Sequence, residues 1–165
     1  MEQLYKQAVV QGKIHWIGYK IDGERKKVKN VILAFDLSDE IFVELQLPDR
    51  MVIGPPIEIN ITKFGESLAI YHFNGYPWNR TCSIWVMKEY GVVESWNKEF
   101  DVPLDPKTGM ILGFRNKDEI LLTRTTGQLE IEIKQLFGSL VDVATTTLND
   151  AFINPNDTAD LAERR

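Results

Sequence analysis

The residue types that support catalysis or metal binding are few in this sequence and are not spaced for either chemistry. The two histidines, His15 and His72, and the one cysteine, Cys82, all lie within apolar stretches. Nucleophilic catalysis needs a nucleophile beside a base, and a structural zinc site needs a spaced set of Cys and His ligands. Neither spacing occurs, and no glycine-rich phosphate loop occurs either. The sequence therefore predicts a protein that is not an enzyme and that uses no cofactor and no metal ion.

Charge and composition narrow the class of partner. The 165 residues include 19 Lys or Arg and 24 Asp or Glu, which gives a net charge of −5. Nucleic-acid binding depends on Lys and Arg that neutralise phosphates, so we expect no nucleic acid partner and favour a basic protein instead. No apolar run approaches the roughly 18 residues that cross a bilayer, so we expect no membrane partner.

One turn-rich loop is a candidate for binding a protein. Residues 75–80 read GYPWNR and contain Tyr76, Trp78 and Arg80. Aromatic side chains and Arg on a loop are typical of the residues that anchor protein interfaces. The alternative is that the loop only covers the edge of a sheet.

Two charged clusters are further candidates. The cationic cluster follows a hairpin signal at Asp22 and Gly23, and it consists of Arg25, Lys26 and Lys27. The acidic cluster consists of Asp36, Asp39 and Glu40. The first would contact an acidic target and the second a basic one, with charge complementarity mainly speeding association. Either cluster could instead serve only to keep the surface soluble.

The elements that position these residues repeat along the chain. Three turn signals are each followed by an apolar stretch, at Gln11 and Gly12, at Phe64 and Gly65, and at Asn116 and Lys117. The apolar stretches begin 53 and 52 residues apart, at Lys13, Glu66 and Asp118. A short candidate strand precedes each turn and two more follow each apolar stretch. Four strands in roughly 45 to 53 residues is the size of one propeller blade.

The repeats predict an all-β fold. We expect a propeller-like, kelch-like array of about three four-stranded antiparallel blades over residues 1–146, followed by a weakly ordered tail at 147–165. Propellers close with roughly four to eight blades. The chain is thus expected to be a C-terminal part of a larger propeller, or to self-associate through open blade edges, or to form a smaller stack of sheets.

The apolar residues within each repeat predict which strands are buried. The runs at residues 31–35 (VILAF) and 83–87 (SIWVM) are continuously apolar, which predicts strands covered on both faces. Trp16, Trp85 and Trp96 lie inside predicted strands, so we expect them in the core of the blades.

Three strings carry a family resemblance that extends to about Thr145. Residues 12–16 (GKIHW), 32–40 (ILAFDLSDE) and 84–92 (IWVMKEYGV) resemble the F-box-associated domain of plant F-box proteins. The third string, followed by ESWNK at 94–98, is the most specific. Within that family, the sequence resembles the S-locus F-box and S-locus F-box-like branch, whose members recognise ribonucleases (S-RNases) in self-incompatibility.

The resemblance implies a function. It implies the substrate-recognition part of an SCF (Skp1-cullin-F-box) ubiquitin ligase, which binds a target protein for ubiquitylation in the cytoplasm or nucleus. An F-box that docks the adaptor Skp1, and through it the cullin, normally precedes this domain, and we expect it to be absent from this chain. The alternative class is a carbohydrate-binding propeller or a propeller glycosidase, in which Tyr76 and Trp78 would flank a cleft.

Overall fold

The computed structural model describes residues 6–23, 27–53, 59–76, 78–115, 117–125, 129–136 and 144–147. These residues form three four-stranded antiparallel sheets in which strands that are consecutive in the chain are neighbours. The predicted all-β fold of three four-stranded units is confirmed.

The chain divides into two compact units, residues 1–106 and 107–165. The first unit contains two of the sheets and the second unit contains the third. The predicted tail lies outside the described residues except for Thr147, which ends the last strand.

The first sheet is a meander of four strands, β1 (Gln7–Val10), β2 (Lys13–Asp22), β3 (Lys27–Asp36) and β4 (Ile41–Leu45). The turn between β1 and β2 is the predicted one, with φ of 50° at Gln11 and 70° at Gly12. Two consecutive residues with positive φ form the turn whose twist matches that of antiparallel strands. The sheet continues into a short helix, α1 (Asp49–Val52), which begins after Pro48.

The second sheet has the same order of strands, β5 (Ile59–Phe64), β6 (Ser67–Tyr76), β7 (Asn79–Met87) and β8 (Trp96–Leu104). A short 3-10 helix, Val93–Ser95, lies between β7 and β8. The register of these two strands shifts between Ile84 and Trp85, so that the outer strand contains a bulge.

The third sheet makes up the described part of the second unit, with β9 (Thr108–Arg115), β10 (Glu119–Thr125), β11 (Leu129–Gln135) and β12 (Ala144–Thr147). The predicted turn before β10 is present, with φ of 68° at Lys117. All three predicted turn signals therefore precede the second strand of a sheet.

The first two sheets pack face to face through one apolar core. Its buried members come from both sheets and from α1, and they include Val10, Ile32, Ala34, Met51, Ile61, Ile70, Met87 and Trp96. The indole Nε1 of Trp96 donates a hydrogen bond to the carbonyl oxygen of Gln46 at 2.9 Å. Trp96 is thus a core residue as predicted, whereas Trp16 and Trp85 are only partly buried.

The prediction that residues 31–35 are covered on both faces is wrong at Leu33, which is exposed. Successive residues of a strand point to opposite faces, so Ile32 and Ala34 face the core while Leu33 faces away from it. In the other run Ser83, Ile84, Val86 and Met87 are buried as predicted, whereas Trp85 is only partly buried.

A buried histidine links the two sheets of the first unit. His15 is fully buried, with Nδ1 3.1 Å from the carbonyl oxygen of Ala8 and Nε2 2.8 Å from the hydroxyl of Tyr90. A carbonyl only accepts, so Nδ1 carries the proton and Nε2 accepts from the Tyr90 hydroxyl. Burial lowers the pKa of His15 and raises that of Tyr90.

This pair predicts a loss of stability on mild acidification. In the unfolded chain His15 titrates near about 6.5. The folded protein holds its pKa lower, so the unfolded state binds the proton first and the free energy of unfolding falls from pH 7 to 5.5. One proton limits the slope to about 1.4 kcal/mol per pH unit. Urea unfolding of wild type and His15→Gln across this range tests it, and an unchanged slope in the variant would contradict it.

Candidate functional site

The predicted loop is the tip of the hairpin between β6 and β7. Tyr76 pairs with Asn79, so only two residues connect the strands: Pro77, which lies outside the described residues, and Trp78. Gly75 has φ of 88°, and a Cβ atom there would lie 2.2 Å from the carbonyl oxygen of Asn79. Only glycine combines this conformation with this close approach of the two strands.

The tip presents two large aromatic side chains to solvent. Tyr76 is 68% exposed and Trp78 is 71% exposed. Their rings are stacked, with centroids 5.1 Å apart and planes 4° from parallel. We call Tyr76 and Trp78 the aromatic tip. Because each ring restrains the other, the pair forms a preorganised apolar surface at the end of a strand pair.

Arg80 lies beside the aromatic tip in sequence but on the other face of the hairpin. It pairs with Gly75, whereas Tyr76 pairs with Asn79 on the opposite face. The Arg80 guanidinium lies 4.5 Å from the centroid of the Phe73 ring, within the range of a cation–π contact. Arg80 therefore stabilises the hairpin through its contact with Phe73, below the aromatic tip.

A polar row lies on the same face as Tyr76. Asn74 donates to the Ser83 hydroxyl at 2.8 Å, and that hydroxyl donates to Asp101 at 2.5 Å. Lys98 also bonds Asp101, and the bonds from Lys98 and then Ser83 hold the pKa of the Asp101 carboxyl below its ordinary value. His72 pairs with Ser83 in the register, so this row contains a Ser, a His and an Asp.

Ser83 lies in the interior of the polar row. Its hydroxyl is buried and donates a hydrogen bond to the Asp101 carboxylate, whereas the hydroxyl of a catalytic serine is exposed to its substrate. Sequence reasoning missed Asn74, Ser83, Lys98 and Asp101. The available signal was the alternation of facing residues along the strands, but matching it across three strands requires the register.

The three residues of the acidic cluster differ in their exposure to solvent. Asp36 is only 8% exposed, and its carboxylate accepts from Lys13 and from the backbone N–H groups of Ser38 and Asp39. These bonds, that of Lys13 foremost, lower the pKa of Asp36 to about 2. Asp36 thus stabilises the turn at residues 37–40. Asp39 and Glu40 are exposed on that turn, which we call the acidic turn.

The cationic cluster is described only in part. Arg25 and Lys26 lie outside the described residues, and Lys27 is exposed at the start of β3. The acidic turn follows the other end of β3, so Lys27 and the acidic turn are at opposite ends of the first sheet. The structure does not bring the two charged clusters together.

The thiol of Cys82, possible metal ligands and possible membrane-spanning helices are the remaining features to place in the structure. Cys82 is buried, and burial raises the pKa of its thiol to about 12, so it is not a ready nucleophile. In the described ranges no three His, Cys, Asp or Glu side chains are grouped to hold a metal ion. No helix within those ranges has the length and apolar character to cross a membrane.

The sequence of the chain matches a known family of domains. The chain belongs to the F-box associated beta propeller domain family, whose model matches residues 2–129. The resemblance found in the sequence is therefore confirmed, while the S-locus branch stays a prediction. The chain is 31% identical over 96 residues to the F-box protein At3g07870 of Arabidopsis thaliana. That match covers 58% of this chain and 21% of the relative. No solved structure matches the chain.

Proposed function

We propose that this domain is the substrate-recognition part of an SCF ubiquitin ligase and that it holds a target protein for ubiquitylation without chemistry of its own. The observation that supports this most is the aromatic tip, a stacked and exposed Tyr76 and Trp78 on a hairpin braced by Arg80. Tyr, Trp and Arg are enriched among the residues that contribute most to binding between proteins.

The geometry of the tip suits protein binding for an energetic reason. Ordering a flexible side chain at an interface costs about 0.5–1.5 kcal/mol. The stacked rings and the tight turn at Gly75 have already lost much of that freedom in the free protein. The apolar area of the two rings is thus available for binding at a low entropic cost.

The partners follow from the family context. The F-box of the same receptor would dock Skp1 and thereby the cullin, and we propose the cytoplasm or nucleus as the location of this complex. The exposed Asp39 and Glu40 of the acidic turn favour a basic target, as an S-RNase would be.

A carbohydrate-binding function requires a different arrangement of the same aromatic residues. Tyr76 and Trp78 would have to stand on two sides of a cleft so that a sugar could stack between them. Instead they stack on each other with nearly parallel planes. The aromatic tip therefore favours a protein target over a glycan.

The test compares the proteins that the wild type and the Tyr76→Ala/Trp78→Ala variant retain from one plant extract. Truncating two anchors is expected to cost about 2 kcal/mol or more, roughly a thirtyfold loss of target. Tyr19→Ala is the matched control, because Tyr19 is an exposed aromatic residue that lies on β2 of the first sheet. The retained protein should also accumulate when the proteasome is inhibited. Equal retention by the wild type and the double variant would refute the role of the tip.

A further inference from the structure

The outermost strands of the first two sheets, β4 and β8, differ in how their free edges are protected. Each strand is terminal in its sheet and pairs with only one described neighbour. In β4 the side chains of Ile41, Phe42 and Val43 are exposed, and Phe42 is 69% exposed. An unpaired edge of this kind presents a row of backbone N–H and C=O groups to solvent.

The edge of β8 carries the features that prevent pairing with another strand. Lys98 and Asp101 are exposed on it, Pro103 lacks an N–H donor, and the bulge opposite Ile84 and Trp85 interrupts its register. Charges, proline and bulges are the usual protection of natural edge strands. β4 has no proline and a regular register with β3, and its one charge, Glu44, forms an ion pair with Lys20.

We propose that β4 is a second binding site, at which an extended segment of a target protein adds as a fifth strand to the first sheet. The chemistry of the edge determines the occupant, because unpaired backbone groups are satisfied by another extended backbone. Ile, Phe and Val also have high strand propensity and supply apolar contacts on both faces. The proposal rests on the proposed function only in taking the partner to be a protein.

Charge indicates the kind of segment. The acidic turn, with Asp39 and Glu40 exposed, leads directly into β4. A strand with apolar residues in its centre and Lys or Arg at one end therefore complements the site. A second copy of this chain does not, because each copy has a net charge of −5 and brings its own acidic turn to the shared edge.

The test uses a synthetic ten-residue peptide in which Val alternates with Thr and two Lys precede the first Val. Amide hydrogen exchange of the protein, measured with and without the peptide, should show new protection confined to Ile41–Leu45. Two N-methylated peptides, one methylated on every Val amide and one on every Thr amide, each block one edge of the peptide strand. One of them should lose binding while the other keeps it.

Two variants locate the site on the protein. Phe42→Lys should weaken peptide binding by at least about tenfold, since it removes the main apolar contact and adds a charge to the edge. Ile21→Lys is the control, because the exposed fraction of Ile21 is similar, at 66%, but Ile21 lies on β2. Circular dichroism of both variants checks that they keep the sheet content of the wild type.

Four results would overturn the proposal: protection outside β4, equal binding of both methylated peptides, no protection at millimolar peptide, or dimers that Phe42→Lys dissolves. The last result would assign β4 to a second copy of the chain. The peptide assay contains no target and no ligase, so it succeeds or fails independently of the aromatic tip. Equal target retention by the wild type and the Tyr76→Ala/Trp78→Ala variant, with intact peptide binding, would refute only the proposed role of the aromatic tip.

Discussion

Replacing Trp96 by Ala is expected to lower the free energy of unfolding of the first unit by about 3–5 kcal/mol. Trp96 is 8% exposed and lies in the core shared by the first two sheets. The substitution removes the packing of the indole and leaves a cavity. It also removes the donor to the carbonyl oxygen of Gln46, a hydrogen bond worth about 1 kcal/mol.

The aromatic tip provides the matched control for this prediction. Trp78→Ala removes the same side chain from a position that is 71% exposed, and its effect on stability is expected to stay within about 0.5 kcal/mol. Urea unfolding followed by far-ultraviolet circular dichroism measures both variants without relying on tryptophan fluorescence. Similar losses for the two variants would contradict the assignment of Trp96 to the core and of Trp78 to the surface.

Replacing Gly75 by Ala is expected to abolish most target binding while leaving the core folded. The left-handed φ of 88° costs an alanine about 1–3 kcal/mol. The new Cβ would also lie 2.2 Å from the carbonyl oxygen of Asn79, and a backbone atom cannot rotate away. The two strands must separate at the tip, so Tyr76 and Trp78 lose their stacked arrangement.

The Gly12→Ala variant is the control that separates the cost of the positive φ from the cost of the steric clash with Asn79. Gly12 also has a positive φ, of 70°, but nothing lies within 4 Å of a Cβ atom at that position. This variant should lose a similar amount of stability through strain alone and keep full target binding. Near-ultraviolet circular dichroism reports the stacking of the tip in each variant. Normal stacking and binding in Gly75→Ala would show that the close approach at Asn79 does not define the tip.

The repeat of the fold could be predicted because its signals are local. Turn residues and the alternation along each strand lie close together in sequence, and each of the three turns is present before the second strand of its sheet. The exposure of Leu33 could not be predicted in this way. An apolar run does not indicate whether a second layer covers its outer face, since that depends on which sheets pack together.

The exposed turn of the candidate site could also be predicted from the sequence, but the arrangement of the residues around it could not. The glycine, proline and aromatic content of residues 75–80 indicated an exposed turn, and Tyr76 and Trp78 are exposed. That Arg80 lies on the other face, and that Asn74, Ser83 and Asp101 form a row, depends on the pairing of three strands. Pairing joins residues 9 to 18 positions apart, a separation at which sequence patterns carry little information.

The hydrogen bond between Trp96 and Gln46 has a consequence for synthesis of the chain on the ribosome. Its two residues are 50 positions apart, so the partner of Gln46 is made long after the first sheet has been translated. At about 5–20 residues per second this delay is roughly 3–10 s. During that time the second sheet is incomplete, because Met87 and Trp96 of the shared core are made last. A nascent chain therefore keeps part of its apolar core open to chaperones until β8 emerges from the exit tunnel.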